Sequence, residues 1–497
     1  MCSGRRRRVR RTEPGGPVSA TVLAPTPPVA TVPRKTWAIF ALLVATAALT
    51  ILDVSKVGVV LPAIQESTGG SETTIQLMLV GYTIAYAVFL LPAGRLGDIL
   101  PRSTVFLVGA SVFVAASALC ALAPDATWLV AGRIVQGAGA GILMPQVLGL
   151  IQRLFPPEAR TKPLAILAGT TAVTSTFGPL LAGFVMEWVP GDDAWRVLFW
   201  INVALGAVIL PVAIAVLREP PSTRTRGFDG LGVVLLVPAV VLTIAPVSVI
   251  SSSNPPQWWM LASVVIGVAC GVLFVNHERR LTGRGVQPLV DPGLFRFRHL
   301  PAGVLISGFM HASGTASTLM ITLYLQQRAG QSALETSLWM LPAALSMVVG
   351  SWVAGRFASA TSNRPIVLGT AVGAGGLFVI AVIIGVVPVA SAPVVIAGVL
   401  LVSSFGSALV GPSNQGRALT SVPDFRSSVA GSLLQFSQRV GSAIGMGLAL
   451  IVFYPLLTAT TFAGQPTLGS MLAVALTGLF TLGALLAAIA DRERRRP

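Results

Sequence analysis

The chain has few charged residues, few cysteines and few histidines. Of its 497 residues only 10% are Asp, Glu, Lys or Arg, and it contains 3 Cys and 3 His. Soluble domains carry about a quarter of charged residues, so this composition excludes an ordinary soluble globular protein. Cys2, Cys120 and Cys270 are too scattered to predict a disulfide framework or a metal site. We therefore expect neither a metal nor another cofactor.

Two kinds of motif are also missing. No cytoplasmic segment contains a glycine-rich loop of the kind that binds nucleotide phosphates, which argues against ATP-driven transport. No short apolar segment with a cleavage site precedes the first long apolar run, so we predict no removable signal peptide. The sequence offers no catalytic set of residues, and we expect a protein that is not an enzyme.

Long apolar runs are abundant instead. Runs of about 20 residues, the length that crosses the hydrocarbon core of a bilayer, occur fourteen times. The predicted spans are 36–62, 74–96, 103–123, 127–151, 163–187, 195–217, 229–250, 257–275, 300–325, 334–358, 365–388, 392–415, 428–455 and 467–490. This pattern predicts an all-α membrane protein with fourteen transmembrane helices.

The longest internal connection divides these spans into eight and six. We predict two six-helix halves, 36–217 and 300–490, around a central cavity, because transporters are commonly built from related repeats. Two additional helices lie between the halves in 218–275, and a cytoplasmic loop follows in 276–299. Residues 1–35 form a basic disordered tail, and 491–497 form a second basic tail.

Basic residues predict the orientation. Of the 34 Lys and Arg, only Arg196 and Arg328 fall on the predicted outer loops or the helix starts beside them. This positive-inside bias places both termini in the cytoplasm and the protein in the plasma membrane. The net charge of +16 is explained by inner loops and tails, so the expected partner is the lipid bilayer and not nucleic acid.

Three charged residues lie well inside predicted spans of the first half, away from the span ends. Asp53 is the only carboxylate well inside a span, and Lys56 follows it by one helical turn. Arg133 lies in a run of otherwise apolar and small residues. A charge at mid-bilayer costs roughly 2.5 to 3.5 kcal/mol, so such a residue normally faces a polar cavity or a partner. These residues are therefore candidates for a functional site.

The chemistry of these groups indicates proton coupling. Asp53 can gain and lose a proton, and Lys56 can hold it ionised until substrate or conformation changes the pairing. Arg133 does not deprotonate, so it would act electrostatically on Asp53 or on an anionic part of a substrate. Gln136 is a hydrogen-bonding candidate one turn further on. The alternative is a static ion pair that fixes helix packing, with a glutamine bonded to backbone.

Several segments resemble one known family. Residues 132–141 (GRIVQGAGAG) resemble the fourth-helix motif of the major facilitator superfamily, and 94–98 (GRLGD) resemble its loop between helices two and three. Residues 178–183 (GPLLAG) resemble the fifth-helix motif of its antiporters. Residues 52–62 and 195–202 resemble patterns of its fourteen-helix drug/proton antiporters, in which an apolar residue normally stands at the position of Lys56.

The resemblance implies roles for these residues. It assigns Arg133 to proton coupling. It makes the inner loop, with Gly94, Arg95, Asp98 and Arg102, a latch that controls switching between inward-open and outward-open forms. It implies an antiporter-type helix bend at Gly178, Pro179 and Gly183.

Substrate contacts are predicted more coarsely. The polar candidates for the cavity are Gln136, Gln146, Asn202, His311, Gln435, Gln438 and Arg439. An apolar cavity with few polar anchors suits small amphipathic organic molecules. We predict a proton-coupled antiporter that exports drugs, antibiotics or related metabolites and functions as a monomer. A proton symporter that imports a nutrient, or a non-transporting sensor or scaffold, are the alternatives.

Overall fold

The computed structural model describes residues 33–156, 159, 161–217, 227–249, 257–357, 362–458 and 468–493. Most of the predicted tail 1–35 and residues 494–497 lie outside these ranges. The described residues form helices joined by short turns, without a strand. The helices are α1 Arg34–Val57, α2 Leu61–Thr68, α3 Glu72–Ile99, α4 Arg102–Ala121, α5 Ala126–Leu154, α6 Thr161–Trp188, α7 Trp195–Val216, α8 Gly230–Ile244, α9 Trp258–Gly283, α10 Leu300–Gln327, α11 Ala333–Phe357, α12 Arg364–Val386, α13 Ala392–Leu419, α14 Asp424–Thr458 and α15 Leu468–Glu493.

The helix lengths confirm the predicted fold class. Within the described residues thirteen helical segments are long and apolar enough to cross a membrane, with α1 and α2 counted as one, and α8 is a shorter apolar helix. The chain is therefore a multi-pass membrane protein. The first crossing is not a single helix, because a short 3₁₀ turn over Gly58–Val60 separates α1 from α2. Pro62 at the start of α2 lacks the backbone N–H that a continuous helix would use.

Polar side chains mark where several apolar helices begin. The Ser71 hydroxyl accepts a hydrogen bond from Thr74 N at the start of α3, and Asp125 caps the first turn of α5 in the same way. Two helices continue beyond the predicted spans: α9 runs to Gly283 and α15 runs to Glu493.

Two groups of helices pack separately and meet at a seam. Helix α5 packs against α3 and α4, while α10, α12, α13, α14 and α15 pack mainly with one another. The groups contact each other chiefly through α3 with α14 and α6 with α11. Helices α8 and α9 form a hairpin, in which α8 and the turn that follows it lie beside α3 and α14.

Candidate functional site

A buried polar cluster joins four helices of the first half. Asp53 on α1 accepts three hydrogen bonds: from Arg133 Nη1 on α5 (2.6 Å to Oδ2), from Gln136 Nε2 (3.1 Å to Oδ1) and from Asn202 Nδ2 on α7 (2.6 Å to Oδ1). Gln136 Nε2 also donates to Ser117 Oγ on α4 at 2.8 Å. These residues are at most 1% exposed. The cluster is therefore shielded from solvent, and both oxygens of its carboxylate accept hydrogen bonds.

Lys56 contributes a second buried cation. Its Nζ lies 3.9 Å from Asp53 Oδ1, and it donates to the carbonyl oxygen of Leu198 at 2.5 Å and to Asn202 Oδ1 at 2.6 Å. Asn202 thus bridges the two charges of α1, donating to the acid and accepting from the ammonium. Asn202, which the sequence predicts as a cavity residue, lies inside this cluster and is fully buried.

The cluster holds one carboxylate between two cations, so it carries an excess positive charge. Arg133 reaches Asp53 because α5 runs close to α3, where Gly137 and Gly141 leave room for the backbone carbonyls of Tyr82 and Tyr86. The guanidinium also lies over the Tyr82 ring, 4.1 Å from its centroid, and bonds to Gln136 Oε1 at 2.6 Å. A proton that neutralised Asp53 would remove the charge that two other helices, α5 and α7, contact.

The remaining cavity candidates do not share one place. Arg439, Gln435 and Gln438 are half-buried on α14, which packs against α3, and His311 on α10 lies within electrostatic reach of Arg439. Gln146 is fully buried elsewhere, near the C-terminal end of α3, where its Nε2 donates to Ala93 O at 2.7 Å. Gln146 therefore lies apart from the predicted cavity residues of α10 and α14.

The predicted latch residues lie together at the C-terminal end of α3 and the start of α4. Arg102 Nη2 donates to Asp98 Oδ1 at 2.6 Å, and Arg95 Nη1 lies 3.7 Å from Asp98 Oδ2. The Arg102 guanidinium packs directly on Gly149, where a larger side chain would occupy its place. Gly94 faces Pro145 of α5 at ordinary contact distance.

The family description that matches the chain is "Major Facilitator Superfamily", over residues 42–446. The chain belongs to the major facilitator superfamily. It is 32% identical to the probable actinorhodin transporter of Streptomyces coelicolor, over 66% of this chain and 57% of that protein. It is 29% identical to the methylenomycin A resistance protein of the same species, over 89% of this chain and 90% of that protein.

Other similarities agree with this membership. The tetracenomycin C resistance and export protein of Streptomyces glaucescens is 28% identical over 79% of this chain and 71% of its own length. The xylose transporter XylE from E. coli, in a partially occluded inward open conformation, has a TM-score of 0.63 at 12% identity and covers 93% of this chain and 98% of its own. That likeness shows the superfamily fold.

The predicted latch residues also contact the segment that follows α9. Arg95 Nη1 donates to Gln287 Oε1 at 2.9 Å, and Nη2 donates to Gln287 O at 3.3 Å. Four residues later Asp291 pairs with Arg426 of α14 at 2.9 Å. The segment 287–291 therefore connects the first half to the second. Sequence reasoning missed these contacts because a local sequence pattern does not reveal distant partners.

The predicted bend lies where α6 passes between α1 and α11. Gly178 packs directly on Ser55 of α1, and Gly183 packs on the backbone of Leu334 at the start of α11. The Pro179 carbonyl accepts a hydrogen bond from Ser337 Oγ of α11 at 2.8 Å. The small residues of this motif thus permit close contact on both sides of α6, across the seam.

A second buried ion pair was not predicted. Arg417 of α13 donates through Nε to Asp491 Oδ2 of α15 at 2.7 Å, and His299 Nδ1 lies 2.9 Å from Asp491 Oδ1. Both charged side chains are about as buried as the Asp53 cluster. Sequence reasoning assigned Asp491 to a tail, although its position directly after an apolar run was the available signal. These contacts tie together the start of α10 and the ends of α13 and α15.

Proposed function

We propose that this transporter is a proton-coupled antiporter, which exports amphipathic organic molecules through the plasma membrane by alternating access. The relatives named for actinorhodin, methylenomycin A and tetracenomycin C support export of antibiotics or related metabolites. We further propose that it works as a monomer with both termini in the cytoplasm. Asp53, Lys56 and Arg133 are the proton-coupling residues in this proposal.

The observation that carries the proposal is the single carboxylate of the buried cluster. Asp53 is contacted by side chains from α5 and α7, and its neutralisation would weaken charge-assisted hydrogen bonds from Arg133, Gln136 and Asn202 together. Protonation of the Asp53 carboxylate can in this way change how α1 packs against α5 and α7. Such a change is what coupling of a proton to alternating access requires.

Two other elements take part in the proposed cycle. The latch of Gly94, Arg95, Asp98 and Arg102 would open and close the inner end of the seam. The bend at Gly178, Pro179 and Gly183 would allow α6 to move against α1 and α11, since Pro179 interrupts helix hydrogen bonding. Gln435, Gln438, His311 and Arg439 are the proposed substrate contacts.

The test is transport by the purified protein in liposomes with an imposed pH gradient. We expect lumenal pH to change in the direction opposite to drug movement, and we expect Asp53→Asn to abolish this exchange. Asp192→Asn, an exposed carboxylate in the loop before α7, is the matched control and should exchange like wild type. Proton movement in the same direction as substrate would establish the importer, and equal exchange by Asp53→Asn would make Asp53 structural.

A further inference from the structure

Arg439 is a membrane-embedded cation with an unusual set of neighbours. It lies well inside the apolar part of α14, between Val429 and Phe453. Among the described residues no carboxylate forms an ion pair with it. An arginine at such a depth is costly and is functional by default. The half-buried guanidinium therefore needs a counter-charge that the described helices do not supply.

Aromatic rings fix the position of this guanidinium at the seam. The Arg439 guanidinium lies over the Tyr86 ring of α3, 4.2 Å from its centroid, and the ring centroids of Tyr86 and Tyr82 are 6.3 Å apart. The Arg133 guanidinium lies over the Tyr82 ring, 4.1 Å from its centroid. Two tyrosines thus connect the cation of the second half with the proton-coupling cluster of the first. A guanidinium has five N–H donors in a planar fork, which suits hydrogen bonding to a planar anion such as a carboxylate.

The surroundings also favour an aromatic ligand with one acidic group. The Tyr82 hydroxyl is buried and has no hydrogen-bond partner among the described residues, while the Tyr86 hydroxyl interacts with Arg439. Buried polar groups normally have a partner, so the Tyr82 hydroxyl can meet a polar atom of a bound molecule. Asp53, the acid of the neighbouring cluster, is already paired with Arg133. A substrate carboxylate is the counter-charge that fits.

We propose that Arg439, held over Tyr86 at the seam between α3 and α14, is the subsite for the carboxylate of an amphipathic aromatic substrate. This subsite rests on the proposed export function, since it names the substrate group that the same cavity selects. Guanidinium binds carboxylate with two parallel hydrogen bonds, which lysine cannot reproduce. Only the rings of Tyr86 and Tyr82 separate this subsite from Arg133. A bound substrate carboxylate would therefore lie near the proton-coupling cluster.

The experiment measures binding of pyrenebutyrate and of its primary amide to the full-length protein in nanodiscs, without a pH gradient. We expect wild type to bind the carboxylate at least about tenfold more tightly than the amide, which corresponds to about 1.4 kcal/mol. Arg439→Gln should bind both about equally, and Arg439→Lys should keep a reduced preference. The Lys variant retains the charge, so it still tests the subsite if the Gln variant does not fold.

A matched control is available on α11. Arg356 also lies over an aromatic ring, 5.6 Å from the Trp352 centroid, but near the inner end of its helix and away from the α3–α14 seam. Arg356→Gln should keep the full preference for the carboxylate. Absence of a preference in wild type, including failure to bind either probe, would overturn the subsite. A preference that survives in Arg439→Gln would overturn it as well.

The same assay separates this inference from the proposed function. Equilibrium binding needs no proton exchange, so the preference for the carboxylate is measured independently of transport. If liposomes show no antiport while the preference depends on Arg439, the export mechanism fails and the subsite stands. If antiport depends on Asp53 while Arg439→Gln keeps the preference, the subsite fails and the mechanism stands.

Discussion

The two buried charges of α1 contribute unequally to the cluster. Asp53 is the only acid against Arg133 and Lys56, so Asp53→Asn would leave two buried cations without a counter-charge. Removing one partner of a buried ion pair typically costs about 3–5 kcal/mol. Lys56→Met would leave Asp53 bonded by Arg133 and would remove an excess charge. The substitution would lower the free energy of unfolding by about 1–3 kcal/mol, because the acceptors Leu198 O and Asn202 Oδ1 lose their donor.

We therefore expect Asp53→Asn to lower the free energy of unfolding in detergent micelles more than Lys56→Met does. The double variant should recover part of the loss of Asp53→Asn, since only one unopposed cation remains. Lys162→Met is the control: this exposed lysine lies over the Trp37 ring, and its removal should cost within about 0.5 kcal/mol. A cost for Lys56→Met equal to that of Asp53→Asn would mean that the ammonium is an essential partner of the acid.

At the scale of helices, α5 approaches its neighbours through glycine. A methyl group on Gly137 would collide with the carbonyl oxygen of Tyr82, and backbone cannot move aside as a flexible side chain can. We expect Gly137→Ala to destabilise the protein by about 1–3 kcal/mol and to weaken proton exchange, because it pushes Arg133 away from Asp53. Thermal unfolding and the liposome assay would measure both effects.

Gly314 of α10 provides the comparison. No atom lies within 4 Å of a methyl group built at this position. Gly314→Ala should therefore be neutral or stabilising by up to about 1 kcal/mol, the intrinsic helix preference of alanine. If both glycine variants behaved alike, close packing between α5 and α3 would not be what positions Arg133.

The sequence predicted helices better than it predicted their partners. Apolar run length sufficed for the crossings, because a bilayer imposes one length on every helix. The turn over Gly58–Val60 escaped prediction because the apolar run continues through it. Asp53, Lys56 and Arg133 were found because a charge in an apolar run is visible locally. The contact of Asn202 with Lys56, and that of Gln287 with Arg95, depend on distant packing that no local pattern contains.

For the whole molecule, the distribution of charge predicts one orientation in the membrane. Asp192 lies in the loop before α7, Ala390 lies in the loop before α13, and both are exposed. Arg284 directly follows α9, whose end carries other basic residues. Basic residues are retained on the cytoplasmic side, so the first two loops should be outside and the end of α9 inside. The outer contact between Arg196 and Asp193, at 2.9 Å, pairs one of the few basic residues of that side with an acid.

The low cysteine content makes this orientation directly measurable. Replacing Cys2, Cys120 and Cys270 gives a background without thiols, to which Asp192→Cys, Ala390→Cys or Arg284→Cys is added singly. We expect a membrane-impermeant maleimide to label the cysteines at 192 and 390 in intact cells. The cysteine at 284 should react only after permeabilisation. The reverse labelling pattern would place both termini outside the cell. The predicted latch would then face the exterior, and the proposed direction of transport would have to be reversed.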